Sequence, residues 1–248
     1  MFTRPFQALI LGGTGAVGRE LVRLLAQGNA RIAFTYHDNE NAALQLSGSD
    51  ILAVHADLDS AASTIAAVRD ACERLGGIDA LIHAAAVCLS KDDAVSEEVV
   101  QKIGDIHEPG WDHLMTVNVK SAFFACQAAL PFLRQRGGGN IVLFSSISGV
   151  KPTPSPVIYA TSKAALSGMT HSMAKELGKD NIRVNCIAPG ILEGGVSKWL
   201  PRSLREDYIK HCGLKREGKP IEIAHVAAWF ARENTYVTAQ TILVDGAV

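Results

Sequence analysis

The stretch "FSSISGVKPTPSPVIYATSK", residues 144–163, holds serine hydroxyls, a phenol and an amine close together, with Ser146, Tyr159 and Lys163 as the groups of interest. Tyr159 and Lys163 are four residues apart, so on a helix they share one face and can meet a common ligand. A free phenol has a pKa of about 10 and handles protons poorly at neutral pH, but a neighbouring ammonium lowers that value by favouring the phenolate. Lys163 can supply that charge. Ser146 could then donate a hydrogen bond to a carbonyl oxygen while Tyr159 delivers a proton, which is the chemistry of carbonyl reduction. Taken alone, the three also fit a strand end, a loop and an ordinary amphipathic helix pair, so the surrounding elements must decide.

The reduction needs a hydride source, and "LILGGTGAVGREL" reads as a strand, a tight turn and a helix with Gly12, Gly15 and Gly18 spaced by three. A glycine-rich first strand-to-helix turn lets backbone N–H groups and a helix dipole meet a pyrophosphate, as in dinucleotide binding. Thr14 and Val17 lie within the same turn. The second strand, "RIAFTYHDN", carries Thr35, Tyr36 and His37 where an acid would hold a ribose 2′-hydroxyl, which favours NADP over NAD. His37 either faces a 2′-phosphate or caps its loop. Asp57 and Leu58, just past the third strand, suit an adenine contact, and Asp57 equally suits a helix cap.

These residues need a scaffold. The chain has 248 residues, 48% of them hydrophobic, enough for one large core, and its net charge of −1 shows no run suited to nucleic acid or an anionic membrane. Seven β-rich runs, "QALIL", "RIAFTY", "ILAVHA", "DALIHAA", "NIVLFSS", "NIRVNCIA" and "TILVDG", alternate with helical patterns such as "AVGRELVRLLAQG" and "SAASTIAAVRDACERLG". The expected fold is a single-domain, Rossmann-like, doubly wound α/β sheet of seven mostly parallel strands with helices on both faces. The N-terminal apolar run ends in glycines and is too short to span a bilayer. The five cysteines show no CxxC, so free thiols, no metal site and a cytoplasmic setting are expected.

At this point the chain resembles the short-chain dehydrogenase/reductase family along nearly its whole length, and most closely its 3-oxoacyl-acyl-carrier-protein reductase branch. "YATSK" matches the family's YxxxK, and Ser146 stands thirteen residues before Tyr159, where the family's catalytic serine falls. Asn118 in "MTVNVKSAFF" matches the asparagine that holds a proton-relay water through a helix kink. "CIAPGIL", with Pro189 and Gly190, matches the segment beside the nicotinamide. The resemblance implies a catalytic tetrad of Asn118, Ser146, Tyr159 and Lys163, a cofactor site including Ala84 and Ala85, and Tyr159 and Lys163 also touching cofactor. It further implies assembly as a homotetramer or homodimer.

Five residues, in three places, depart from the family pattern. Leu11 and Ala16 alter the glycine loop, His83 and Ala84 replace two asparagines that brace the central sheet, and Gly194 stands where a threonine usually holds the carboxamide. His83 reads as structural. Residues 190–220, with Gly194, Gly195 and Pro201, read as a movable lid over the substrate, and Trp199 and Leu200 either line it or pack a short helix. The stretch 87–110 is longer than the family pattern and could shape the pocket or an interface. The substrate is expected to be a small molecule or an acyl group on a carrier protein, for which Arg134, Arg136 and Lys175 could form a basic rim. The competing readings are an alcohol or polyol dehydrogenase using NAD(P) and a nucleotide-binding subunit without turnover.

Overall fold

The computed structural model describes residues 4–88 and 102–248. Seven strands form one sheet: β1 (Phe6–Leu11), β2 (Ala30–Tyr36), β3 (Ile51–His55), β4 (Ala80–His83), β5 (Gly139–Phe144), β6 (Ile182–Pro189) and β7 (Thr241–Val244). Their order is β3-β2-β1-β4-β5-β6-β7, and every adjacent pair is parallel. β1 and β5 are buried along their whole length, as strands covered on both faces must be. That burial explains why they read as continuous apolar runs rather than alternating ones.

Among the described residues, eight α-helices accompany the sheet: α1 (Ala16–Leu25), α2 (Glu40–Leu46), α3 (Ala61–Leu75), α4 (Glu108–Met115), α5 (Ser121–Gln135), α6 (Val157–Leu177), α7 (Arg202–His211) and α8 (Pro220–Arg232). One core layer joins α3, α5 and α6 to the sheet through residues such as Val68, Cys126, Leu133 and Leu166. The other joins α1 and α8 through Leu21, Leu25, Ala227 and Phe230. Helix boundaries follow local chemistry. Ser60 caps α3 by accepting from the Ser63 N–H, and Gly76 ends it in the left-handed region at φ 79°.

α4 and α5 are one helical run interrupted by a π-helical turn, Thr116–Lys120, the kink expected around Asn118. The strand order reverses direction between β1 and β4, which places a crevice outside their carboxyl ends. The glycine loop follows β1 and Ser146 follows β5 at this carboxyl edge. Among the described residues, no helix is long and apolar enough to cross a membrane.

Candidate active site

The glycine loop leaves β1 at the crevice and is tied on both sides. The Gly12 N–H donates to Thr35 Oγ1 (3.0 Å) and the Gly13 N–H to the Thr35 carbonyl (2.9 Å). On the other side the Ala84 N–H donates to the Leu11 carbonyl (3.0 Å). Gly12 has φ +81°, and a Cβ there would lie 2.8 Å from Ala85 backbone. A Cβ on Gly18 would come 2.1 Å from the Gly12 carbonyl, so only glycine lets α1 start this close to the turn. Gly15 is the N-cap of α1 and brings no side-chain cap, an arrangement that suits an anion at the helix N-terminus. Ala84 and Ala85 therefore form the wall opposite the loop. Val17 packs into the α1 side of the core, and the Thr14 carbonyl accepts from Arg19.

Thr35 corrects the sequence reading. It is buried, with its hydroxyl accepting from the Gly12 N–H, so it shapes the loop and presents no side chain to a ribose. The groups that reach the edge there are Tyr36, His37 and Asp38. His37 is half-exposed, stacks on His55 with ring centroids 5.7 Å apart, and has Nδ1 3.0 Å from Asp38 Oδ1 and Nε2 3.9 Å from Asp57 Oδ1. Asp57 holds the turn before α3: its Oδ1 accepts from the Asp59 N–H and its own N–H donates to Ser63 Oγ. Leu58 packs against the core.

Across the crevice, Ser146 follows β5 and opens a 3-10 turn, Ile147–Gly149, in which its Oγ accepts from the Ser148 N–H. That turn packs tightly on α6: Ser145 Oγ donates to the Lys163 carbonyl (2.7 Å), and a Cβ on Gly149 would sit 2.7 Å from α6 backbone. The proline-rich loop hands the chain to α6 at Pro156, its N-cap, so Tyr159 and Lys163 fall in the first two turns. The Ser146 side chain faces the Tyr159 phenol and tends to lower its pKa. Lys163 Nζ lies 5.7 Å from the Tyr159 ring centroid and donates to the Phe144 carbonyl (2.9 Å). Asn118, fully buried, clamps the exit of β4: its Oδ1 accepts from the Val87 N–H, and its Nδ2 donates to the Val87 carbonyl and to Ser162 Oγ.

The electrostatics differ from expectation in one respect. Burial pushes the Tyr159 phenol above its ordinary range, the Cys88 thiol pushes the same way, and the Ser146 side chain opposes them. Lys163 Nζ donates to the Phe144 carbonyl and is itself lowered by burial to about 8. Tyr159 is therefore a protonated phenol at neutral pH, ready to give a proton. Cys88, pushed up to about 11 by burial, packs with Val87 and Ile106 beside Tyr159. Nothing in the sequence marked it.

Pro189 ends β6, and Gly190 is required by a neighbour the sequence did not reveal: a Cβ there would lie 2.0 Å from the Tyr208 hydroxyl. Tyr208 in turn donates to the Asp245 carbonyl (2.7 Å). The segment 190–220 is pinned at both ends. The Glu193 N–H donates to the Gly218 carbonyl and the Gly218 N–H to the Ile191 carbonyl, while Tyr208 and Cys212 sit in a cluster with Ile147 and Ile191. Between these anchors Gly194 and Gly195 take φ +85° and +61°, and a Cβ on Gly195 would lie 3.3 Å from Ala16 Cβ, against the start of α1. Leu200 packs into that cluster; the side chain of Trp199 lies outside the described residues, as do residues 89–101 of the long 87–110 stretch.

The basic rim is also corrected. Arg134 ends α5 and pairs with Asp180, and Arg136 leads into the start of β5 and pairs with Asp79 at 2.6 Å. Lys175 is in the last turn of α6. Helices that return between parallel strands end at the amino edge of the sheet, so all three lie opposite the catalytic edge. Among the described residues no group of three or more His, Cys, Asp or Glu is placed to hold a metal.

A doubly wound parallel sheet with a glycine loop at its switch point and a Ser–Tyr–Lys group across the crevice defines a nucleotide-dependent oxidoreductase. Comparisons with known proteins agree. A family profile described as Enoyl-(Acyl carrier protein) reductase matches residues 13–248. The chain is 32% identical to Dehydrogenase/reductase SDR family member 4 of Oryctolagus cuniculus, over 96% of this chain and 92% of that one. It is 39% identical to the 3-oxoacyl-[acyl-carrier-protein] reductase FabG of Thermotoga maritima over 61% of this chain and 70% of that one. Among solved structures, a blue fluorescent protein from a metagenomic library in complex with NADPH superposes with a TM-score of 0.87 at 29% identity, covering 98% of both chains. A short-chain glucose/ribitol dehydrogenase from Brucella melitensis gives 0.85 at 28% identity, over 98% of this chain and 96% of that one. The chain belongs to the short-chain dehydrogenase/reductase family and is an NAD(P)-dependent short-chain oxidoreductase.

Proposed function

We propose that the chain reduces a carbonyl to an alcohol with NADPH, and that its substrate is a 3-oxoacyl thioester carried on an acyl carrier protein. The observation that carries the reduction is the buried Tyr159 phenol, kept protonated by burial, with Lys163 Nζ 5.7 Å from its ring and Ser146 facing it. Bound NADPH supplies the hydride. The glycine loop, with no Cβ at Gly12, Gly15 or Gly18 and an uncapped helix start, fits its pyrophosphate. His37 and its stacked partner His55 fit the 2′-phosphate, and Ala84, Ala85, Pro189 and Gly190 would flank the dinucleotide. Ser146 donates a hydrogen bond to the substrate oxygen, and Tyr159 gives that oxygen its proton as negative charge develops. Lys163, one helical turn on, carries the positive charge that compensates the tyrosinate left behind. The tetrad role of Asn118 rests on the π-helical turn, the kink through which a relay water would be held.

The acyl-carrier substrate is supported by the likeness to the Thermotoga maritima reductase and by the description of the matching family. The location of Arg134, Arg136 and Lys175 at the amino edge counts against a basic rim built from them, so a carrier would approach the lid, residues 190–220, instead. The second reading, an alcohol or polyol dehydrogenase, draws on the likeness to the glucose/ribitol dehydrogenase. Unpaired cysteines fit a cytoplasmic setting, and a homotetramer or homodimer is part of the proposal. The deciding experiment is cofactor-dependent turnover against 3-oxoacyl thioesters, simple ketones and sugar alcohols. NADPH oxidation with the thioesters is expected; activity confined to alcohols with NAD would overturn the reading.

A further inference from the structure

His83 ends β4 almost fully buried, paired in register with Leu11 on one side and Leu143 on the other, and the tetrad makes no direct use of it. Its Nε2 lies 2.8 Å from Ser121 Oγ, and Ser121 Oγ lies 2.6 Å from the Val117 carbonyl. A carbonyl only accepts, so the serine hydrogen is committed to Val117, and Ser121 must accept from His83. The proton of the imidazole is thereby assigned to Nε2. The ring is neutral, lowered to about 3 by burial and then by the Lys163 charge.

Val117 and Asn118 belong to the π-helical turn, and Ser121 is the first residue of α5 after it. A serine hydroxyl bonded back to the carbonyl four residues earlier bends a helix and competes with its regular ladder. We propose that His83 is a positioning residue: by donating to Ser121 it locks that hydroxyl onto the Val117 carbonyl and so holds the π-helical turn that aims Asn118 at Val87 and Ser162. The consequence reaches the reacting groups along bonds already described. Asn118 clamps both polar groups of the Val87 backbone, Cys88 follows Val87 and packs beside Tyr159, and Ser162 precedes Lys163 on α6. Neither partner is legible from the other in sequence; a strand-end histidine and a helix-start serine 38 residues apart meet only in the fold.

The turnover arm of the test rests on the reductase reading, and the spectroscopic arm does not. In protein labelled with ¹⁵N-histidine, His83 is expected to show a protonated Nε2 and a bare Nδ1 at neutral pH; a proton on Nδ1 overturns the proposal whether or not any variant folds. His83→Phe and Ser121→Ala should each lower kcat by about 10- to 100-fold, the scale of a sub-ångström misplacement at a reacting centre, with NADPH affinity within about 3-fold. Their combination should be no worse than the more damaging single change. His83→Gln, whose amide nitrogen reaches about as far as Nε2, should restore most of the loss. Full kcat in His83→Phe, or His83→Gln as impaired as His83→Phe, overturns the proposal. If the wild type turns over no carbonyl at all, the reductase reading fails and the imidazole tautomer alone decides the role of His83.

Discussion

At the scale of single residues, Tyr159 is a general acid whose removal should be nearly complete in effect. Tyr159→Phe is expected to lower kcat by about 10²- to 10⁴-fold while cofactor affinity stays within a few-fold, measured by turnover and by NADPH fluorescence titration. The pH dependence follows from Lys163. Its ammonium, lowered to about 8 by burial, is charged below that pH and neutral above it, whereas the phenol, pushed up, stays protonated throughout. kcat/KM for reduction should therefore fall as pH rises through about 8, and a profile flat to pH 10 would refute that assignment. Cofactor choice is read at His37: His37→Ala should weaken NADPH by about 10-fold, the worth of one charge-assisted hydrogen bond, and leave NADH unchanged in binding titrations. Ser146, Tyr159 and Lys163 were legible as candidates only with the glycine loop and the family pattern beside them, because their types and spacing alone also fit a strand end, a loop and an ordinary helix pair. Their charge state was not, because burial and the Phe144 carbonyl belong to tertiary structure. Thr35 misled for a related reason: its hydroxyl is taken by the Gly12 N–H, a contact that belongs to tertiary structure, while His37 lies just past the end of β2.

At the scale of elements, the seven strands were readable because a parallel sheet buried on both faces writes each strand as a short apolar run ended by turn residues. α2 and α7 were not read from periodicity; both are short and largely exposed, and α7 is fixed by Tyr208 and Cys212 reaching the chain's end rather than by a strong apolar stripe. The edge on which Arg134 and Arg136 lie could have been deduced, since a helix returning to a parallel strand must finish at the strand's start. The junction of β1 and α1 carries the element-scale prediction. Gly18→Ala forces a carbon to within 2.1 Å of the Gly12 carbonyl, so the turn must open. NADPH affinity should drop by about 10-fold or more, because the N–H groups that meet the pyrophosphate lose their aim. A retained affinity would show that the pyrophosphate lies elsewhere.

At the scale of the whole molecule, one monomer leaves α5 and α6 with a face that its own packing does not use. Phe123 on α5 is 43% exposed and Val157 on α6 is 46% exposed, and between them α6 presents Thr161, Ala164 and Gly168 outward. Gly168 is the informative position. A glycine inside an exposed helix costs about 1 kcal/mol relative to alanine, and beyond its own helix backbone nothing among the described residues lies within 4 Å of where a Cβ would be, so neither backbone conformation nor packing among those residues accounts for it. Close approach of the same face on a second copy would account for it, with small residues letting two α6 helices meet and Phe123 covered at the margin. Such a contact would also brace the helix that carries Tyr159 and Lys163. Gly168→Arg should therefore leave the circular dichroism spectrum intact and reduce the particle mass in light scattering from a dimer or tetramer to a monomer. Wild-type mass retained in that variant, or a wild type that is already monomeric with full activity, would show that α6 is not the assembly face.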